Sequence, residues 1–170
     1  MIDVQVEVPG PDPVDGPETG SLDVSAWPGL VRGAVQATLT HEGVEDAELS
    51  VTLLDDGPMR ELNREHLGHD RTTDVISFAL YQPGERVLGD VYVGWRQAIR
   101  QARAEGVPIE EEIARLAIHG TLHVLGHDHP DGADARSGSE MYRLQETIVT
   151  GLSFAPAPNS APGASAGESA

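Results

Sequence analysis

Residues 108–129, PIEEEIARLAIHGTLHVLGHDH, decide how this chain is read. Ile109, Ile113, Leu116, Ala117, Leu122 and Val124 recur at three- and four-residue intervals between Pro108 and Gly126, a pattern that predicts one amphipathic helix with histidines on its last turns. The closing HGTLHVLGHDH, 119–129, holds four of the chain's seven histidines. Residues four apart on a helix share a face with about 6 Å of rise between them, so His119 and His123 can aim one imidazole nitrogen each at a common ion. His127 on a continuing helix would lie about 12 Å from His119 along the axis, too far to share an ion whose bonds are roughly 2.0–2.1 Å. Gly126 lets the chain leave the helix, so that His129 can fold back. The predicted ligands are therefore His119, His123 and His129. A fourth position stays open for water or substrate, as in a catalytic zinc site; nickel and copper also suit three imidazoles.

The spacing is that of a zinc-peptidase helix, but Gly120 stands where such an enzyme carries its glutamate base. That glutamate takes a proton from the attacking water and delivers it to the leaving amine, so ordinary peptide hydrolysis is a poor expectation here. Phosphodiester cleavage asks less of a missing base, because the metal itself polarises a phosphoryl oxygen and offsets its growing charge. A glycine is also expected to leave room beside the metal for a phosphate. Asp128 has three readings: a partner that orients a ligand imidazole, a group that assists proton transfer, or a cap for the turn. His127 is expected to point elsewhere, toward solvent or substrate.

Composition narrows the field further. At 170 residues with 39 % hydrophobic content, the chain suits one globular domain, expected over 1–152. The Pro/Ala/Gly/Ser-rich 153–170 has too few large apolar groups to order itself and is expected to be a disordered tail. No apolar run approaches the roughly 20 residues of a spanning helix, and MIDVQVEVPG lacks the basic start and apolar stretch of a secretory signal, so the expected location is the cytoplasm. With no cysteine, a metal must be held by nitrogen and oxygen. A net charge of −17 argues against a diffuse grip on DNA or RNA. All eleven basic residues are arginine, however, and Arg60, Arg64 and Arg71 cluster while Arg96, Arg100 and Arg103 recur at helical spacing. Either group can be a local phosphate patch or a solvated face.

Around the histidine helix, IDVQVEV alternates as a strand and 21–41 carries a helical stripe with Pro28 near its start. EDAELSVTLLD reads as a second strand, followed by a short helix from Pro58 to about His66 capped by Asp55 or Asp56. TTDVISFALY and RVLGDVYVG flank QPGE as a hairpin. Helices are expected from Trp95 to Glu105, stopped by Gly106, and from Ser139 to about Leu152. The order predicts an α+β fold: a four-stranded mixed β-sheet with about five helices in a single domain.

HGTLHVLGHDH resembles the H-G-x-L-H-L-x-G-y-D-H signature of the YbeY family of bacterial rRNA-maturation endoribonucleases. LNREHLGHDRTTDVISF is similar to that family's L-N-x-x-y-R-x-x-d-x-P-T-D-V-L-S-F segment, LGDVYV to its L-G-D-I strand, and EMYRLQETIVTGL to its final helix, over roughly 46–152. The resemblance implies one zinc ion on the three histidines. It also implies action on single-stranded RNA, especially the 3′ end of 16S rRNA, in rRNA processing and ribosome quality control alongside the small subunit or its proteins. Two positions depart from the pattern: Leu67 replaces the family's active-site arginine, and Thr72 its proline. Arg64 or Arg71 is the candidate replacement, and Asp128 the candidate acid–base group. Asp74 and Ser77 match the segment as cleft-lining candidates, although Asp74 can equally steady the entry to its strand, and Asp90 stands in the same position. The second reading is a zinc-stabilised ribosome-assembly factor that acts mainly by binding rRNA or ribosomal protein; the third is an atypical metallopeptidase.

Overall fold

The computed structural model describes residues 1–9, 22–67, 73–129 and 138–154. Four strands, β1 (Ile2–Glu7), β2 (Ala47–Leu54), β3 (Val75–Ala79) and β4 (Val87–Gly94), form one sheet in the order β1-β2-β4-β3. β1 runs parallel to β2 and β2 to β4, while β3 is antiparallel to β4, closing the hairpin expected around QPGE. The expected mixed sheet is therefore present. Ala47, Leu49, Val51 and Leu53 of β2 are buried, alternating with more exposed neighbours, because one face of the sheet is covered by helices.

Among the described residues, five helices accompany the sheet: α1 (Trp27–His41), α2 (Asp56–Leu67), α3 (Trp95–Glu105), α4 (Ile109–Val124) and α5 (Glu140–Thr150). α1 starts at Trp27, six residues after the start expected at Ser21. The cause is Pro28, which has no N–H to give and so fits only a first turn. Leu22 and Val24, ahead of it, pack on the core from a non-helical segment. α2 opens at Asp56 with the Asp55 carboxylate accepting from the Asp56 amide at 2.7 Å, which draws Pro58 into the first turn. α3 stops where expected, at Gly106 in the left-handed conformation (φ 67°).

α4 is the hub, touching α1, α3, α5, β3 and β4. Its Ile113, Ala114, Ala117, Ile118 and Leu122 are fully buried. After α5, Leu152 and Phe154 also pack against this core, so ordered packing extends to the last described residue. The remainder of the expected tail, from 155, lies outside the described residues.

Candidate metal centre

From Glu112 onward, the members of α4 that are not buried are Arg115, His119 and His123, each four residues from the next. A helix enclosed by five other elements thus keeps one narrow polar line open, and both helical histidines stand on it. The line ends in a Schellman turn: Gly126 N–H donates to the His123 carbonyl and His127 N–H to the Leu122 carbonyl, each at 3.0 Å. Gly126 makes this possible with φ 95°, a conformation that side chains rarely adopt. The reversal carries His129 back over the open line. Its ring centroid lies 5.2 Å from that of His119 and 5.1 Å from that of His123, and one nitrogen from each of the three rings falls within 4.8 Å of the others.

The donor set fits a metal ion. His119 Nε2 and His123 Nε2 are 3.0 Å apart and face one another. Their far nitrogens are both engaged: His119 Nδ1 lies 2.7 Å from Gln145 Oε1, and His123 Nδ1 lies 3.0 Å from the His127 carbonyl. Both partners are acceptors, so each Nδ1 carries the proton and each Nε2 offers a lone pair inward. Burial, reinforced by the neighbouring His123, pushes the His119 imidazole down to about 4, so it is neutral at ordinary pH. A neutral imidazole is the form that ligates.

Gly120 has a different purpose from the one its sequence position suggests. It is buried on the sheet side of α4, and a Cβ there would stand 2.4 Å from Val91 Cγ1 and 3.0 Å from both Ser77 Oγ and Val75 Cγ2. The glycine lets the helix lie close on β3 and β4 rather than opening room beside the metal for a phosphate. A glutamate is therefore excluded from this position by packing. Two hydroxyls fasten the same end of α4 to the hairpin: Ser77 Oγ donates to the Gly120 carbonyl at 2.9 Å and Tyr81 to the Val124 carbonyl at 2.8 Å.

The other predicted residues divide by location. Asp74 lines a cavity of about 110 Å³ with His119, Gln145, Gln101, Glu112 and Arg115, and its carboxylate accepts from Gln101 at 3.4 Å. Ser77, His123 and Asp128 line a second, more open depression. Asp128 is exposed and its Oδ1 accepts from the His129 amide at 2.8 Å, the turn-capping contact among its three readings. His127 turns away from the three histidines to pair with Glu42 beyond the end of α1. Arg64 lies exposed on α2, 4.0 Å from Glu61, and does not line either hollow. Arg71 and Thr72 lie outside the described residues. Asp90 accepts from Ser50 Oγ at 2.7 Å on the sheet face turned away from α4. Arg96 and Arg100 pair with Asp55 and Asp56 at the start of α2, which assigns them to helix–helix linkage rather than to a phosphate patch.

Gln145 was missed by sequence reasoning. It occupies a stripe position of α5 between Met141 and Ile148, 95 % buried, where the pattern calls for an apolar residue. That misfit is the signal that could have found it.

The sequence profile described as Endoribonuclease YbeY matches residues 17–153. Proteins named Endoribonuclease YbeY from Persephonella marina and Moorella thermoacetica are 39 % and 41 % identical over 127 and 130 residues, covering 72 % and 69 % of this chain and 82 % and 81 % of theirs. The Thermus thermophilus protein of that name is 41 % identical over 123 residues, 70 % of this chain and 86 % of its own. A Thermotoga maritima protein solved in solution shares the fold, with a TM-score of 0.53 at 24 % identity, over 88 % of this chain and 87 % of that one.

Proposed function

This chain belongs to the Endoribonuclease YbeY family, and from that membership we propose that it is a metal-dependent endoribonuclease that hydrolyses phosphodiester bonds of single-stranded RNA. Its setting is rRNA processing in the cytoplasm, with maturation of the 16S 3′ end and ribosome quality control as the tasks and the small subunit as the partner. The observation that carries the reading is the clustering of one ring nitrogen each from His119, His123 and His129 within 4.8 Å of one another, with His119 lining one hollow and His123 another and a peptidase glutamate excluded at Gly120.

Zinc suits three imidazoles and, when bound, would supply Lewis-acid polarisation of a phosphoryl oxygen and a water acidified toward neutral pH. The chain's own part is to hold both helical imidazoles in one tautomer with their Nε2 atoms facing one another. Asp128, in the hollow beside His123, is the carboxylate we assign to receive the proton; the His129 amide occupies its Oδ1 and orients the group. Arg64, exposed on α2, and Arg71, in the segment leading into β3, are the candidate phosphate contacts in place of the arginine lost at Leu67. With a net charge of −17 the grip on RNA is local, so affinity is expected to vary only shallowly with salt.

Incubating the chain with short single-stranded RNA, with and without chelator, tests the proposal. Chelation and His119→Ala are each expected to lower cleavage by about 100-fold or more. Cleavage indifferent to both would overturn it. The assembly-factor reading draws on the acidic charge and on Leu67. It gains only if variants that bind metal but do not cut RNA still restore ribosome maturation in cells.

A further inference from the structure

A line of hydrogen bonds runs from the centre into α5 and returns to α4. Gln145 Oε1 faces His119 Nδ1 at 2.7 Å, and Gln145 Nε2 donates to Glu146 Oε2 at 3.1 Å. Glu146 is gripped by Arg115, whose Nε and Nη2 reach its two oxygens at 2.9 and 3.1 Å, and Arg115 Nη1 donates to Glu112 at 2.8 Å. Burial holds the Glu112 carboxyl above the usual carboxylate range, and the Arg115 guanidinium beside it offsets only part of that rise.

An amide side chain can be turned either way round, and its two ends have opposite hydrogen-bonding character. Here one neighbour breaks the symmetry. The Glu146 carboxylate, with Arg115 N–H groups donating to both of its oxygens, acts there as an acceptor, so the Gln145 amide presents its NH₂ to Glu146 and its oxygen to His119. A carbonyl oxygen in turn accepts only from a protonated ring nitrogen, which places the imidazole hydrogen on Nδ1 and the lone pair on Nε2, 3.0 Å from His123 Nε2. Reversing the amide would put N–H against Nδ1 and drive the hydrogen to Nε2, where it would block ligation.

We infer that Gln145, oriented by Glu146 and Arg115, is a positioning residue that selects the ligating tautomer of His119. The residue sits among apolar neighbours of α5 because the hydrogen bond to His119 requires it there. The inference rests on the three histidines being a metal centre, but its test reads ring protonation and metal affinity rather than RNA cleavage, so a chain that cuts no RNA leaves it standing or falling on its own.

Two-bond ¹H–¹⁵N spectra of the histidine rings in the full, metal-stripped chain report the tautomer, and zinc titration against a chromogenic chelator reports affinity. Wild type is expected to show His119 protonated at Nδ1. Gln145→Leu, which keeps the size and loses the acceptor, is expected to populate the other tautomer and weaken zinc binding by about 10–100-fold. Glu146→Gln, which removes the acceptor-only constraint at a partly exposed site, is expected to mix the tautomers more mildly; it decides the matter if Gln145→Leu does not fold. Gln145→Glu keeps an acceptor toward His119 and is expected to retain the wild-type tautomer. An unchanged His119 ring in Glu146→Gln and Gln145→Leu, or a loss of affinity without a change of tautomer, overturns the inference.

Discussion

One side of the last two turns of α4 is open and polar, and the other is shut. On the open line, His119, hydrogen-bonded to Gln145 of α5, and His123 face His129. One residue on, Gly120 lies so close to β3 and β4 that even a methyl group would overlap Val91. The open side tolerates exchange of its groups at a cost to chemistry; the shut side tolerates none without a cost to folding. Two adjacent residues therefore answer to different constraints, one to coordination geometry and one to interlayer distance.

Restoring the peptidase glutamate attacks this contrast most directly. Gly120→Glu is expected to abolish folding rather than confer peptide hydrolysis, measured by circular dichroism and by turnover of a peptide substrate. Even Gly120→Ala, which in an exposed helix interior would stabilise by about 1 kcal/mol, is expected to destabilise by about 1–3 kcal/mol, because a clash with a buried β-branched side chain outweighs helix propensity. A raised urea midpoint would show that the layers can separate cheaply and would dissolve the contrast.

Acid probes the open side. The folded His119 imidazole takes up a proton only at about 4, whereas the unfolded one does so near 6.5, so the unfolded chain binds more protons between these values. Stability of the metal-stripped chain is thus expected to fall as pH drops from about 6.5 toward 4, by at most about 3 kcal/mol from this group, and not to change further on its account below 4. Urea midpoints across that range should decline more steeply in wild type than in His119→Gln, and parallel slopes would refute the assignment.

The smallest expected effect sharpens the junction between the two sides. Gly126→Ala places a side chain at φ 95°, costing about 1–2 kcal/mol, and displaces His129 from the other two rings. Zinc affinity should fall while the melting temperature moves by only a few degrees; an unaltered affinity would show that the turn does not aim His129.

What could be read in advance follows the same division. Period-two alternation in β1 and β2, the QPGE turn and the i,i+4 histidines are local signals, and local signals survive into the fold. The pairing of β4 with β2 is not local, since nothing within either strand states that it will choose the other. The pairs Arg96–Asp55 and Arg100–Asp56, joining residues 41 and 44 positions apart, were likewise out of reach of helical spacing. Gly120 was legible as an omission from a motif, but its reason lies in Val91, a residue that only the packed sheet brings alongside.

Position 127 serves the centre entirely through its main chain: its N–H closes the helix on Leu122 and its carbonyl steadies the His123 ring, while its imidazole reaches sideways to Glu42. Every amino acid except proline offers the same two peptide groups. The side chain there is consequently an adjustable strut to the residue that follows α1, and a fluorophore or cross-linker installed on it would report the spacing of the C-terminal ends of α1 and α4.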